Sequence, residues 1–165
     1  MEIIDKRVVV TGAASGIGKA LCKAFKDAGA KTVVAVDINL EGAEVTAKEI
    51  EGLAVSANVA KEEDIKMVIQ EANNFCGGID IFCSNAGIGG APGFIEAGAK
   101  DWQNIWEVNV MAHIFAAKYV IPQMLKQGGG YLMNTASAAG LLTQLGAAGY
   151  SVTKAAAVSF AEWIK

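Results

Sequence analysis

An α/β fold built on a doubly wound, Rossmann-like parallel sheet is what this sequence predicts, and three observations predict it. Short, almost unbroken apolar runs recur, as in Val8-Val9-Val10 and Val33-Val34-Ala35-Val36. Segments of helical period separate them, and a glycine-rich turn follows the first. Strands that alternate with helices join through right-handed crossovers into a parallel sheet covered on both faces, and continuous apolar strands suit that double burial.

The elements follow in order. Residues 7–11 read as a strand, then a glycine turn, then a helix over 17–28 closed by Gly29. Residues 31–37 read as a buried strand, 41–51 as an exposed helix, 53–57 as a short strand and 61–75 as an amphipathic helix. The strand at 79–84 precedes one long helix over 101–126, which Pro122 is expected to bend near its end. Residues 131–135 give a fifth strand and 149–165 a final helix.

The 165 residues, 53% hydrophobic and 19% charged, suit one domain over residues 1–165 with a large core, and no linker, low-complexity tract or repeat divides them. A net charge of -3 with interspersed signs and no basic cluster excludes nucleic acid as an expected partner. Residues 127–153 carry no charge, but glycines and polar residues such as Gly128, Asn134, Thr135 and Gln144 break the stretch, so no membrane span is expected. Cys22, Cys76 and Cys83 are odd in number and lack CxxC spacing, and no charged leader with an apolar core is read at the start. A reduced, cytoplasmic setting is the expectation, with the cysteines serving as small buried hydrophobes.

Between the first strand and helix stands Thr11-Gly12-Ala13-Ala14-Ser15-Gly16-Ile17-Gly18. Backbone N–H groups at such a helix start, with the positive end of the helix dipole, receive a pyrophosphate where missing side chains allow close approach. A ligand-free glycine turn that packs a helix onto a strand is the plainer alternative. The GxxxGxG spacing, rather than GxGxxG, resembles that of the short-chain dehydrogenases/reductases. In that resemblance Gly12, Ser15, Gly16, Ile17 and Gly18 form the cofactor turn.

Asp37 ends the second strand, where a carboxylate accepts hydrogen bonds from the adenosine ribose and its charge repels a 2′-phosphate. Capping of the next helix is its alternative role. Neither Ser15 nor Ile38 supplies the basic side chain that NADP-preferring relatives place nearby, so the resemblance implies NAD(H) in preference to NADP(H). Asn58-Val59 resembles the family's Asp-Val at the adenine, keeping an acceptor and losing a charge. Ser84-Asn85-Ala86-Gly87 resembles the family's Asn-Asn-Ala-Gly; its small residues let the chain pass beside the cofactor, and Asn85 ties neighbouring strands.

Tyr150 and Lys154 lie one helical turn apart on one face. A free phenol titrates near about 10 and is a poor base at neutral pH, whereas a neighbouring cation favours the phenolate. Alone, this pair reads as a surface contact. Ser137, ahead of Tyr150 and after the fifth strand, and Asn109 on the long helix complete a resemblance to the family's catalytic group. It implies that Ser137 hydrogen-bonds the substrate oxygen, Tyr150 exchanges a proton with it, Lys154 holds the nicotinamide ribose, and Asn109 helps position a water-linked proton relay.

Other residues read as structural. His113 has no second histidine or suitable cysteine for a metal site, and no metal is expected. Trp102 and Trp106 share a helical face suited to packing or subunit contact. Ser137 lacks the GxSxG elbow of a hydrolase.

The expected activity is therefore hydride transfer between NAD(H) and a secondary alcohol or ketone. The rival expectation is a non-catalytic dinucleotide-binding or truncated form of the same fold; a sugar-nucleotide epimerase fits the glycine spacing less well. Ile88, Gly89, Leu142 and Gln144 are expected to line a pocket for a small or apolar substrate. Relatives pair through the long and last helices, which implies a homodimer or homotetramer. Family members continue with two more strands, a Pro-Gly segment and a mobile substrate loop, so this chain is expected to be an incomplete sequence or a partial domain.

Overall fold

In the computed structural model, described here for residues 2–91 and 93–165, five parallel strands form one sheet. The order along the chain is β1 (Arg7–Thr11), α1 (Gly16–Asp27), β2 (Thr32–Asp37), α2 (Leu40–Ile50), β3 (Leu53–Ser56), α3 (Glu62–Cys76) and β4 (Ile81–Ser84). Then come α4 (Ala99–Trp106), a π-helical turn (Glu107–Met111), α5 (Ala112–Lys126), β5 (Tyr131–Asn134), α6 (Ala139–Leu142) and α7 (Ala148–Trp163). Across the sheet the order is β3-β2-β1-β4-β5. The chain builds outward from β1 to β3 and then crosses to β4 on the other side of β1, so succeeding segments diverge at the carboxyl ends of β1 and β4. That switch point opens a crevice.

The central strand explains the double-sided burial. Val8 and Val10 point to one face, where they join Cys22 and Phe25 of α1 and Ala47 and Ile50 of α2. Val9 points to the other, among Ile65, Val68 and Ala72 of α3 and Ala116 and Val120 of α5. Each fully buried aliphatic chain of this kind contributes about 1.5–3 kcal/mol, so both faces of the apolar run are used.

The long helix departs from expectation. It is interrupted not at Pro122, which lies inside α5, but at the π turn Glu107–Met111. There Asn109 is withdrawn completely from solvent and makes side-chain bonds to Ile88 and Thr153, outside its own helix. A widened turn that inserts one polar residue into the interior is a recognised use of the π conformation. The short α6 was not expected, since four residues are too few to show a period. β4 starts at Ile81, two residues later than the apolar run suggests, because Asp80 is engaged by Arg7 at the strand's entry. Cys22 and Cys83 are buried free thiols, both pushed up to about 12 by burial, whereas Cys76 is only partly covered at the end of α3. No helix among the described residues is long and apolar enough to cross a membrane.

Candidate active site

A cleft of about 930 Å³ runs along the carboxyl edge of the sheet, from the glycine turn at one end to α7 at the other. Its first wall is that turn. Gly12 and Gly16 both hold positive φ, 72° and 53°, a region that side-chain-bearing residues rarely adopt. Gly18 serves a different need: a Cβ there would run into the Gly12 carbonyl and stand 2.8 Å from Asn85 Nδ2, so a hydrogen is required for α1 to seat against β1. Beside Gly16 the space is open. Ser15, the N-cap of α1, makes no side-chain capping bond, and the first turn carries no acidic residue. The amide donors of the first turn of α1 and the positive dipole end thus lie at the cleft with no side-chain cap and no acidic residue in that turn, an arrangement suited to an anion such as a pyrophosphate.

Asp37 bridges the turn and the end of β2. One carboxylate oxygen accepts from Ala14 N and the other from Asn39 N, each at 2.9 Å. The helix cap is Asn39, whose side chain accepts from Gly42 N at 3.2 Å, so capping is not the role of Asp37. Ile17 and Ile38, 65% and 68% exposed, line the cleft as apolar surfaces, with Val59 beneath. Asn58 lines it too, but its Oδ1 closes a turn onto Ala60 N at 3.1 Å. That bond engages one lone pair of the acceptor expected to meet adenine, and Nδ2 has no described partner.

Asn85 ties three strands as expected. Its Nδ2 donates to Thr11 O at 2.9 Å, its backbone N donates to Thr11 Oγ1 at 2.9 Å, and its Oδ1 accepts from Thr135 Oγ1 at 3.0 Å. Ala86 and Gly87 then pass along the cleft floor.

At the far end Ser137, Tyr150 and Lys154 share the lining. Ser137 Oγ accepts from Ala139 N at 3.1 Å, which fixes the hydroxyl and leaves its proton to donate. Lys154 is only 3% exposed; its ammonium donates to Thr135 O at 2.8 Å and lies 5.8 Å from the centre of the Tyr150 ring. Burial holds the Lys154 pKa below that of a free lysine. Among the described residues no carboxylate forms an ion pair with it. Asn109 lies under the floor rather than in the lining. Its Oδ1 accepts from Ile88 N at 2.9 Å, and its Nδ2 donates to Ile88 O at 2.9 Å and to Thr153 Oγ1 at 3.2 Å. Asn109 therefore fastens the floor and α7 together.

Of the expected substrate-pocket residues, Ile88, Gly89 and Gln144 line the cleft, but Leu142 does not. The unexpected α6 carries Leu142 away, 81% exposed to solvent. Asn104, Val108 and Ala147 were missed and do line it. Asn104 and Val108 come from the α4 and π-turn region, which sequence periodicity assigns to a continuous helix; nothing in that period marks the side facing the cleft.

The short chain dehydrogenase family model matches residues 6–165. Cyclohexanol dehydrogenase from Acinetobacter sp. is 36% identical over 172 aligned positions, covering 96% of this chain and 68% of that protein. A short chain dehydrogenase/reductase from Burkholderia phymatum, solved in complex with NAD, superposes with a TM-score of 0.95 at 30% identity, over 99% of this chain and 60% of that one. A 3-ketoacyl-(acyl-carrier-protein) reductase from Brucella melitensis, solved with NADH, gives 0.93 at 32% identity, over 98% of this chain and 69% of that one. The chain belongs to the short-chain dehydrogenase/reductase family, and it spans 60% to 69% of the length of these three relatives.

Proposed function

We propose that the chain is an NAD(H)-dependent oxidoreductase that interconverts a secondary alcohol and a ketone, with Tyr150 as general acid/base. The observation that carries this reading is the buried Lys154 ammonium, unpaired with any carboxylate among the described residues, beside Tyr150 and in one cleft with Ser137. A desolvated cation favours whatever negative charge develops opposite it, here on a phenolate and on a substrate oxygen. Bound nicotinamide supplies or accepts the hydride. The protein's part is to hold and move the proton. Ser137 donates a hydrogen bond to the substrate oxygen, Tyr150 takes the hydroxyl proton during oxidation and returns it during reduction, and Lys154 turns its remaining N–H donors to ribose hydroxyls. Asn109 keeps the floor and α7 in register.

The residues at the other end of the cleft fit a dinucleotide. The bare start of α1 suits the pyrophosphate, Asp37 the adenosine ribose, and the apolar walls Ile17 and Ile38 a flat base. The Asp37 charge, with no basic side chain in the lining near it, favours NAD(H) over NADP(H). The NAD and NADH complexes of the two structural neighbours support a nicotinamide dinucleotide as the cofactor. Ile88, Val108 and Ala147 favour a small or apolar substrate, with the amides of Asn104 and Gln144 at the mouth. A homodimer or homotetramer is proposed too: Trp106, Val152 and Trp163 on α4 and α7 are 41%, 49% and 82% exposed, apolar surface suited to a second subunit.

NADH fluorescence titration and NAD reduction with a panel of secondary alcohols test the reading. Binding and turnover are both expected, with turnover reduced by about 10²–10⁴-fold in Tyr150→Phe. A Tyr150→Phe variant within a few-fold of the parent would remove Tyr150 from the role. NADH binding without turnover would make the chain a binding module of the same fold.

A further inference from the structure

The chain's one histidine is fully buried, and the reaction proposed above makes no use of it. His113 stands on α5, one helical turn beyond Asn109. Its Nδ1 lies 2.7 Å from Ser84 Oγ at the carboxyl end of β4, and its Nε2 is enclosed without a described partner. Asn109 grips Ile88 through both its backbone N–H and its carbonyl. Two residues spaced by four on the helix thus hold two residues spaced by four on the chain leaving β4, and between those holds run Asn85, Ala86 and Gly87 of the cleft floor.

The floor is tight against the proton-transfer group. A Cβ on Gly87 would stand 3.2 Å from Asn109 Oδ1 and 3.4 Å from Lys154 Nζ. Ser84 also reaches Lys154 by its backbone: its carbonyl accepts from Thr135 N at 3.0 Å, and the Thr135 carbonyl accepts the Lys154 ammonium at 2.8 Å. An apolar side chain at 113 could fill the same volume, but it would not fix a direction, whereas a buried hydrogen bond is costly to leave unmade and so specifies one arrangement.

We propose that His113 is a positioning residue: with Ser84 it forms a buried clamp that, together with the Asn109–Ile88 clamp, sets residues 84–88 and, through Thr135, the Lys154 ammonium. This rests on the roles proposed for Tyr150 and Lys154. The clamp calls for a neutral imidazole, since the charged group near it is Lys154 and a second cation there would repel the first.

The test compares His113→Leu, His113→Asn and Ser84→Ala for kcat, NADH affinity and hydrogen exchange at the Ile88 amide. His113→Leu should lower kcat by about tenfold or more and weaken NADH binding by clearly less, because misplacement of a reacting group costs rate more than binding. Exchange at Ile88 should quicken. His113→Asn, whose amide keeps a polar atom for Ser84, should recover most of kcat, and Ser84→Ala should resemble His113→Leu and shift the Nδ1 ¹⁵N signal of the one imidazole. Parental kcat in His113→Leu overturns the proposal, as does an equal loss of kcat and NADH affinity with no recovery in His113→Asn. If the parent itself shows no turnover, the reading of the reaction fails separately, and the clamp is then judged on Ile88: unchanged exchange in His113→Leu overturns it.

Discussion

A methyl group on Gly18 has nowhere to go. It would enter the Gly12 carbonyl, which is backbone, and crowd Asn85 Nδ2, which is tied to Thr11 O, so α1 itself would have to move off β1. Gly18→Ala is therefore expected to cost about 1–3 kcal/mol, visible as a lower Tm, and to weaken NADH binding in fluorescence titration. Asp37 poses a different residue-scale question because two properties coincide in it. Its oxygens accept from Ala14 N and Asn39 N, which fixes the turn, and its charge faces the cleft. Asp37→Asn keeps one acceptor oxygen and removes the charge. The proposed dinucleotide preference should narrow, with the ratio of NADPH to NADH dissociation constants falling by about tenfold, equivalent to ~1.4 kcal/mol. An unchanged ratio would mean that the Asp37 charge does not select the cofactor.

At the scale of elements, the joint between the π turn and α5 holds a titratable group whose effect on stability has a definite sign. Burial, helped by the Lys154 charge, lowers His113 from 6.5 to about 4. The unfolded chain therefore binds a proton below about pH 6.5 that the folded chain refuses until about pH 4, and folding stability drains as pH falls through that window. The loss attributable to this group is of order 3 kcal/mol, since each pKa unit is worth about 1.4 kcal/mol. Denaturant titrations at pH 7 and pH 4 should show a smaller drop for His113→Leu than for the parent; equal drops would show that the imidazole is not held neutral. The same joint shows what a sequence can and cannot disclose. The strands were legible because Val8 to Val10 and Val33 to Val36 must be buried on both sides, and the turn because Gly12, Gly16 and Gly18 leave backbone bare. The π turn was not legible: Glu107–Met111 has helical neighbours on both sides, and its insertion arises from bonds to Ile88 and Thr153, distant in sequence. The exposure of Leu142 escaped for a similar reason, because α6 is shorter than any period. Tyr150 and Lys154 were legible as a pair only through helical spacing, whereas the burial that gives the lysine its proposed chemistry comes from packing.

At the scale of the whole molecule the two edges of the sheet are built for different ends. Among the described residues, the carboxyl edge carries open glycines, a helix start without a side-chain cap and a buried cation that no carboxylate pairs, all of them costly to folding and suited to a ligand. The amino edge carries a clamp. Arg7 at the start of β1 donates from its backbone N to Asp80 Oδ2 at 2.9 Å, from Nε to the same oxygen at 2.7 Å, and from Nη2 to Oδ1 at 2.7 Å, while Nη1 reaches Gly77 O at 2.8 Å. This holds β1, the end of α3 and the entry to β4 together, and the Arg7 guanidinium keeps the Asp80 carboxyl below its ordinary value. A carboxylate with a lowered pKa stabilises the fold at neutral pH and loses that contribution as pH falls toward and through its folded value. Asp80→Asn should consequently lower stability at pH 7 by about 1–3 kcal/mol, the range for hydrogen bonds to charged groups on a side chain still partly open to solvent. It should also flatten the acid limb of the stability profile. Yet the strand separates Asp80 from the cleft by about 15 Å. NADH affinity, measured where the variant remains folded, is therefore expected within about twofold of the parent, a coupling smaller than 0.5 kcal/mol. Fluorescence titration beside thermal denaturation separates the two quantities. If Asp80→Asn weakened NADH binding as much as Gly18→Ala does, the two edges would act as one unit, and the division of labour between them would be wrong.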